Sequence, residues 1–241
     1  MTRARRAAFA AAALVLTACL VALGVWQLER RAWKHDLVAA VETRSHAEPA
    51  PAPGPAEWQT VGAASHAYRR VRATGRFDHS RETLVQAVTD RGGGYWVLTP
   101  LETPGFTLIV NRGFVPPERR DPATRAAGNP SGAVTVTGLL RVTEPGGAFL
   151  RSNDPAAGRW YSRDIAAIAK ARGLDHIAPY FIDADARPNA GGYPVGGLTV
   201  VRFSDNHMVY ALTWFALALL SLFFAWRLWR PTPRGSNMAD E

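Results

Sequence analysis

One histidine in this sequence lies where a chain can hold a metal-containing cofactor. His207 follows Asp205 and Asn206 and immediately precedes a long apolar run. If that run is helical, one helix face carries a small residue between two aromatic ones, in the order Tyr210, Ala211 and Trp214. A neutral imidazole at such a boundary can ligate iron while a nearby carboxylate or amide orients its other ring nitrogen. The pattern also suits an interfacial histidine that anchors the helix end or bonds to Asn206, so the residues alone leave both roles open.

A group of cations follows a second long apolar run, which lies near the start of the chain at residues 7–26. Arg30, Arg31 and Lys34 surround Trp33 in a segment without Gly or Pro, whose apolar residues recur at helical spacing. Because arginine forks bind carboxylates well, this basic collar of Arg30, Arg31 and Lys34 is a candidate site for an anionic group. The alternative is a solvated helix whose long cationic side chains extend to the membrane surface.

The motifs of common enzymes and metal sites are missing from the sequence. It has no HExxH, no G-x-S-x-G, no phosphate-binding P-loop and no His or Cys cluster at metal-ligand spacing. Asp78, His79 and Ser80 stand side by side, but catalytic triads are assembled from distant segments. We therefore predict a turn there, with Asp78 and Ser80 bonding their own backbone, and no enzymatic activity.

Two apolar runs must position these residues. Residues 7–26 form a run of 20 without a charge, and residues 208–226 form one of 19. Because a helix rises about 1.5 Å per residue, each run is long enough to cross a hydrocarbon layer about 30 Å thick. The sequence therefore predicts a two-helix transmembrane hairpin with one extramembrane domain between its helices.

Charge predicts the orientation of this hairpin. Arginines precede the first span and follow the second, namely Arg3, Arg5, Arg6, Arg227, Arg230 and Arg234. Such cations stay on the cytoplasmic side, so we expect both termini in the cytoplasm and the central domain in the periplasm, across a bacterial inner membrane. A cleaved signal or a lipoprotein signal ending at Cys19 is the alternative. However, the apolar run continues to Trp26, beyond the usual length of such signals.

Composition narrows the classes of partner. The net charge is +8, but the cations are spread along the chain and no basic run is interleaved with aromatics as in a nucleic-acid module. Anionic lipid, a carboxylate-bearing ligand or an acidic protein face is the better partner class. Cys19 is the only cysteine, which excludes an intrachain disulfide and a thiol pair for copper delivery or disulfide exchange.

Between the spans, turn residues separate short runs of strand-like sequence. The predicted strands cover residues 68–76, 83–89, 95–101, 106–110, 133–142, 179–184 and 198–203. One helix is expected between an N-cap at Asp164 and a stop at Gly173, and Gly138 is expected at a bulge or a close approach. Short strands at regular spacing predict a mainly antiparallel β domain of the α+β class, shaped as a barrel or a sandwich.

These elements give a predicted order of domains. Transmembrane helix 1 covers residues 7–28 and continues as a juxtamembrane helix to about residue 45. A Pro/Ala linker over residues 47–57 is expected to be extended and poorly packed. The periplasmic β-rich domain covers residues 58–206, and transmembrane helix 2 covers residues 208–226.

A series of short motifs occurs in an order that resembles one known family. The motifs are GVWQLERRAWK at 24–34, GRFDHS at 75–80, VNRGFVP at 110–116, GLLR at 138–141, NDP at 153–155, Trp160 with Asp164, FIDA at 181–184, Pro194 with Gly196 and Gly197, Asn206 with His207, and Thr213 with Trp214. Each piece is weak, but the ordered set covers nearly the whole chain. On these residues the chain resembles the Surfeit-locus-one proteins, assembly factors of haem–copper cytochrome oxidases in bacteria and mitochondria.

The resemblance implies a membrane chaperone that binds haem a and aids its insertion into the large oxidase subunit. The family's usual candidate ligand to the haem iron maps onto His207. To this we add the basic collar as a site for the haem propionates, lipid for the isoprenoid tail, and three aromatic residues beside the macrocycle, Trp33, Tyr210 and Trp214. Many members carry Asn or Glu where this chain has Asp205, so the resemblance does not assign the group that orients His207.

The resemblance also implies partners and leaves two rival functions to distinguish. The expected partners are the large oxidase subunit, other assembly factors such as the haem a synthesis machinery, and membrane lipid. The first rival is a membrane-anchored scaffold that docks oxidase subunits without holding haem, for which His207→Ala leaves oxidase maturation intact. The second rival is an envelope enzyme, which requires His79 to converge with Asp183 or Asp185 in a pocket.

Overall fold

The computed structural model describes residues 2–148, 150–199 and 205–230. The described residues divide into a helical unit, residues 2–39 with 205–230, and a head, residues 40–148 with 150–199. The helices are α1 (Arg3–His46), α2 (Ala63–His66), α3 (Ile165–Arg172) and α4 (His207–Trp229). The strands are β1 (Ala50–Pro51), β2 (Arg70–Phe77), β3 (Thr83–Thr89), β4 (Gly92–Thr103), β5 (Phe106–Val115), β6 (Ala133–Val142) and β7 (Ile177–Ala184).

In the helical unit, α1 and α4 pack as an antiparallel pair. The Ser221 hydroxyl donates to the Ala13 carbonyl oxygen at 2.9 Å, and the Phe215 ring lies against Gly24. Helices that meet inside a membrane favour small residues at their contact. Most buried positions of this pair are accordingly small, as Ala10, Gly24, Ala211, Ala218, Ser221 and Ala225 show. The predicted two-helix hairpin is confirmed.

The outer surface of the two helices is apolar. Val15 is 65% exposed and Leu219 is 68% exposed, although such side chains in a water-soluble unit would be expected to pack inside. Both helices are long and apolar enough to cross a membrane. The protein is therefore a membrane protein whose hairpin faces lipid with these side chains.

The described part of the head is built on one seven-stranded sheet. Its strand order is β1-β2-β6-β7-β5-β4-β3, and β2 also pairs with β4 through Arg76 opposite Glu102 and Phe77 opposite Leu101. That additional pairing closes a ring of five strands, β2-β6-β7-β5-β4, with β1 and β3 appended to it. Among the described strands, β1–β2 and β5–β7 are the parallel pairs. Of the two predicted shapes, the head is the barrel.

Alternation along the strands produces two cores. On β5, Leu108 and Val110 join a cluster to which all five ring strands contribute, while Ile109 between them faces the opposite way. Ile109 packs with Phe181 and with Ile168 of α3 in the second cluster. One core therefore fills the barrel, and the other lies between its outer surface and α3.

Local signals set the ends of α3 as predicted. The Asp164 side chain accepts a hydrogen bond from the Ala167 N–H at 3.1 Å, which satisfies one of the unpaired donors of the first turn. Gly173 ends the helix in the left-handed region with φ 61°, a conformation that glycine adopts without steric cost. The predicted cap and stop are both confirmed.

The segment predicted as a poorly packed linker differs from that expectation. β1 pairs with β2 within it, and the Tyr180 hydroxyl donates to the Pro53 carbonyl oxygen at 2.7 Å. Trp58, the first residue after this segment, donates from Nε1 to the same carbonyl oxygen at 3.2 Å. The proline and alanine residues of this segment show no apolar periodicity, so the sequence did not predict that it packs. An extended chain can nevertheless pair with the edge of a sheet and cover a core.

The other strands differ mainly in their bounds. β3 and β6 have the predicted bounds, whereas β4 begins three residues earlier than predicted, at Gly92. The glycines at 92–94 pair with the end of β3, so register with a neighbour overrides their low strand propensity. Of the strand predicted at 198–203, residues 198 and 199 have no regular structure, and the rest lies outside the described residues.

Candidate functional site

His207 begins α4, and its ring is held by the facing helix. The ring nitrogen Nδ1 lies 2.8 Å from Gln27 Oε1 of α1, and the ring is partly buried. Because an amide oxygen only accepts, a neutral imidazole in this bond carries its proton on Nδ1 and has its lone pair on Nε2. A neutral imidazole with one nitrogen fixed by a hydrogen bond is the form that ligates a metal.

Asp205 links the same two helices beside His207. Its carboxylate accepts from His35 Nε2 at 2.8 Å and from Arg31 Nε at 3.1 Å, and it also accepts from the backbone N–H of His207 at 3.1 Å. The hydrogen bond from His35, with those from His207 and Arg31, lowers the pKa of Asp205 to about 2. Asp205 is therefore ionised at neutral pH and orients the start of α4, while Gln27 orients the imidazole.

The other predicted residues lie around this cluster on the two helices. Arg30 stacks over the Trp33 ring, with its guanidinium carbon 4.1 Å from the ring centroid. Lys34 lies one turn beyond Arg30 on α1, and Tyr210 and Trp214 follow His207 on α4. Tyr210 is exposed and Trp214 is partly buried. The structure thus ties Arg31 to His207 through Asp205 and pairs Arg30 with Trp33.

Sequence reasoning missed Gln27 and His35. Both belong to α1, and their partners are 180 and 170 residues away along the chain. Their spacing from Arg31 is four residues in each direction, which places all three on one helix face. The four-residue spacing could have suggested that Gln27 and His35 act together with Arg31. However, nothing in the sequence shows that this helix face meets the start of α4.

A second polar cluster lies in the head, around Asp183 of β7. The buried carboxylate accepts from Asn111 Nδ2 at 2.7 Å, Arg141 Nη1 at 2.8 Å and Arg163 Nη1 at 3.1 Å. Glu144 bonds both arginines, so two cations and two carboxylates balance. Burial alone would lower the pKa of Arg163, but Asp183 and Glu144 outweigh it and raise that pKa. Asp183, Arg141 and Arg163 form part of the wall of a cavity of about 590 Å³ that Tyr68 and Trp96 also line.

The residues of the enzyme hypothesis do not meet in the contacts of the described chain. His79 Nε2 bonds the Pro130 carbonyl oxygen at 3.1 Å, while Asp183 is surrounded by the partners given above. The Asp78 side chain accepts from the Ser80 N–H at 3.0 Å and caps a short turn, as predicted. The Ser80 hydroxyl also donates to Asp78, rather than to the backbone. No group of three or more His, Cys, Asp and Glu side chains is placed to hold a metal ion among the described residues.

Comparison with known proteins gives one consistent match. The model of the SURF1 family matches residues 14–219, a range that includes His207 and the basic collar. Surfeit locus protein 1 of Mus musculus is 40% identical in an alignment that covers 91% of this chain and 76% of the mouse protein. The Homo sapiens protein of that name is 37% identical, covering 85% and 72% of the two chains. A SURF1-like protein of Monosiga brevicollis is 35% identical, covering 83% and 79%.

Proposed function

Because the chain belongs to the SURF1 family, a family of cytochrome c oxidase assembly factors, we propose that it holds haem a and aids its insertion into the large subunit of a haem–copper oxidase. In this role it is a chaperone of respiratory-chain biogenesis and not an enzyme. The observation that carries the proposal is the hydrogen bond between His207 Nδ1 and Gln27 Oε1. With Nδ1 held in this way, Nε2 of the neutral ring would be the atom that ligates the iron of a bound haem.

The surroundings of His207 fit the rest of a haem a molecule. Arg30, Arg31 and Lys34 are cations near the end of the membrane-spanning part of α1, where they suit two anionic propionates. Among the described residues, Arg31 binds Asp205 through Nε, so its terminal N–H groups can still reach a ligand. Trp33, Tyr210 and Trp214 offer aromatic faces to the macrocycle, and lipid beside the apolar helices accepts the tail.

The proposal includes a location and partners. We place the hairpin in a bacterial inner membrane with both termini cytoplasmic and the head periplasmic, because arginines cluster at the terminal ends of both spans. His207 then lies at the periplasmic surface. The partners are the large oxidase subunit, which receives the haem, and the haem a synthesis machinery, which supplies it.

The test is the haem content of the detergent-purified protein after co-expression with a haem a pathway. We expect stoichiometric haem a in the wild type, and loss of most of it in His207→Ala. Gln27→Leu should weaken haem binding about 10- to 100-fold, because the imidazole loses the group that orients it. His46→Ala is the matched control, since His46 lies at the far end of the same helix α1, and it should retain haem.

Two results would contradict the proposal. One is the absence of haem a from the wild type under these conditions. The other is a His207→Ala variant that binds haem and matures the oxidase as the wild type does. The second result, or an absence of haem combined with normal oxidase maturation, would favour the scaffold that docks oxidase subunits without holding haem.

A further inference from the structure

Arg112 of β5 is a buried cation whose hydrogen-bond partners are all uncharged. Its side chain is almost inaccessible, with 3% of the residue exposed. Nη1 donates to Asn129 Oδ1 at 2.7 Å and lies 3.4 Å from His79 Nδ1, and Nη2 donates to the Gly128 carbonyl oxygen. The guanidinium also lies over the Phe77 ring, 5.0 Å from its centroid. Buried arginines are normally paired with an acid, so this set of partners requires an explanation.

The carboxylate whose charge raises the pKa of Arg112 is that of Glu82, and this carboxylate already pairs with another arginine. Glu82 is held by both terminal nitrogens of Arg125, and the side chains of this pair are 6% and 0% exposed. Burial lowers the pKa of Arg112 to about 10, so it remains charged at neutral pH. Burial also lowers the pKa of His79, so its imidazole is uncharged at neutral pH. Arg112, Arg125 and Glu82 together leave one positive charge without a counterion in the described head.

A cavity of about 170 Å³ adjoins this charge. Arg112 lines it together with the Phe77 ring and apolar side chains of the barrel, among them Val110, Val134 and Val136. Two other charged residues line it, Asp185 and Arg187, and their opposite charges offset each other. The space is larger than one water molecule needs.

The geometry points to a binding site for a small oxyanion, a carboxylate or a phosphate, held in this cavity by the guanidinium of Arg112. An arginine has five N–H donors, and three are used in the contacts above. The Nε–H and one terminal N–H therefore have no acceptor among the described residues. An oxyanion would accept from this free edge, as carboxylates and phosphates commonly do, and would neutralise the buried charge. This site belongs to the head and does not depend on the haem proposal.

The test is the thermal unfolding of the full-length protein in detergent, titrated with inorganic phosphate at constant ionic strength. Ligands that bind only the folded state raise its Tm in a saturable way. For a chain of this size we expect a rise of about 3 to 5 °C at ten times the Kd. Arg112→Gln should abolish the rise. Arg72→Gln, which removes the same charge from an exposed position of β2, should retain it.

A second variant keeps the test decisive if Arg112→Gln does not fold. Val134→Phe fills the cavity from β6 and leaves Arg112 in place, so it should also abolish the phosphate effect. Phosphate stabilises folded proteins in general, so an equal rise in Tm for the wild type and all three variants would overturn the proposal. A Val134→Phe variant that keeps the full rise in Tm would also overturn it. Phosphatidylglycerol added to the micelles distinguishes the source of the phosphate. If it prevents the effect of free phosphate in the wild type, the site takes a lipid headgroup; if not, it takes the free anion.

Discussion

At the scale of single residues, the head holds charges inside by two different arrangements. Around Asp183, two arginines and two carboxylates satisfy one another, and Asp183 itself is 3% exposed. Around Arg112, one cation is left over. Desolvation makes an unpaired buried charge costly, whereas a paired one is tolerated when its hydrogen bonds are complete. The first arrangement therefore has a structural role, and the second has the chemistry of a ligand site.

Removing the charge of Asp183 should destabilise the head strongly. Asp183→Asn leaves Arg141 and Arg163 to share Glu144, which is 36% exposed. Breaking a buried ion pair by removing one partner costs about 3 to 5 kcal/mol. Urea unfolding of the detergent-solubilised protein, followed by tryptophan fluorescence, measures the effect. Asp154→Asn breaks the exposed pair with Arg159 and should change little. Equal midpoints for the two variants would contradict the structural role.

At the scale of elements, local signals predicted some strands and helices well. β3 and β6 have the predicted bounds because their β-branched residues lie between turn residues, and α3 has its predicted cap and stop. The closure of the barrel was not predictable in this way, since the β2–β4 pairing joins residues about 25 positions apart along the chain, such as Phe77 and Leu101. β1 also escaped prediction, because its two residues become a strand only through their neighbour β2.

The same limit applies to the candidate site. His207 and Arg31 could be selected from residue type and position, and the structure joins them through Asp205. Gln27, which fixes the imidazole, could not be selected, because the contact depends on how α1 and α4 pack. The Asp183 cluster likewise gathers side chains from β5, β6 and β7 with one from the segment before α3. Sequence patterns identify residues that can ligate a metal or bind an anion, whereas tertiary packing decides which side chains come into contact with them.

Gly138 of β6 was predicted at a bulge or a close approach, and the structure shows the close approach, with regular register on both sides of the strand. A Cβ at this position would overlap the backbone carbonyl of Asp183 on β7, so β6 and β7 pair this closely only with glycine there. Gly138→Ala should lower the free energy of unfolding by about 1 to 3 kcal/mol, the usual cost of overpacking. The measurement is the midpoint of urea unfolding.

Gly132→Ala is the control for that substitution. It lies just before the same strand, and a Cβ there would meet nothing within 4 Å. This variant should be neutral or slightly stabilised, since alanine restricts the unfolded chain more than glycine does. If Gly138→Ala were as stable as Gly132→Ala, the close β6–β7 contact would be wrong.

At the scale of the whole molecule, two groups of cations compete to orient the hairpin. Arginines lie at the terminal ends of both spans, while the basic collar of Arg30, Arg31 and Lys34 lies at the other end of the first span. The collar is partly compensated, because Arg31 pairs with Asp205. The cations within about 15 to 20 residues of the span ends set the orientation, and the six terminal arginines outnumber the three cations of the collar. The terminal arginines should therefore prevail and place the head outside the cytoplasm.

Cysteine labelling can decide this orientation, because Cys19 is the only cysteine in the chain. In a Cys19→Ala background, Gly132→Cys places a thiol in an exposed loop of the head, and Thr2→Cys places one at the N-terminus. A membrane-impermeant maleimide added to intact spheroplasts should label Gly132→Cys fully, and Thr2→Cys only after permeabilisation. The reverse pattern would mean that the collar determines topology. His207 would then face the cytoplasm, and haem would have to reach the protein from that side.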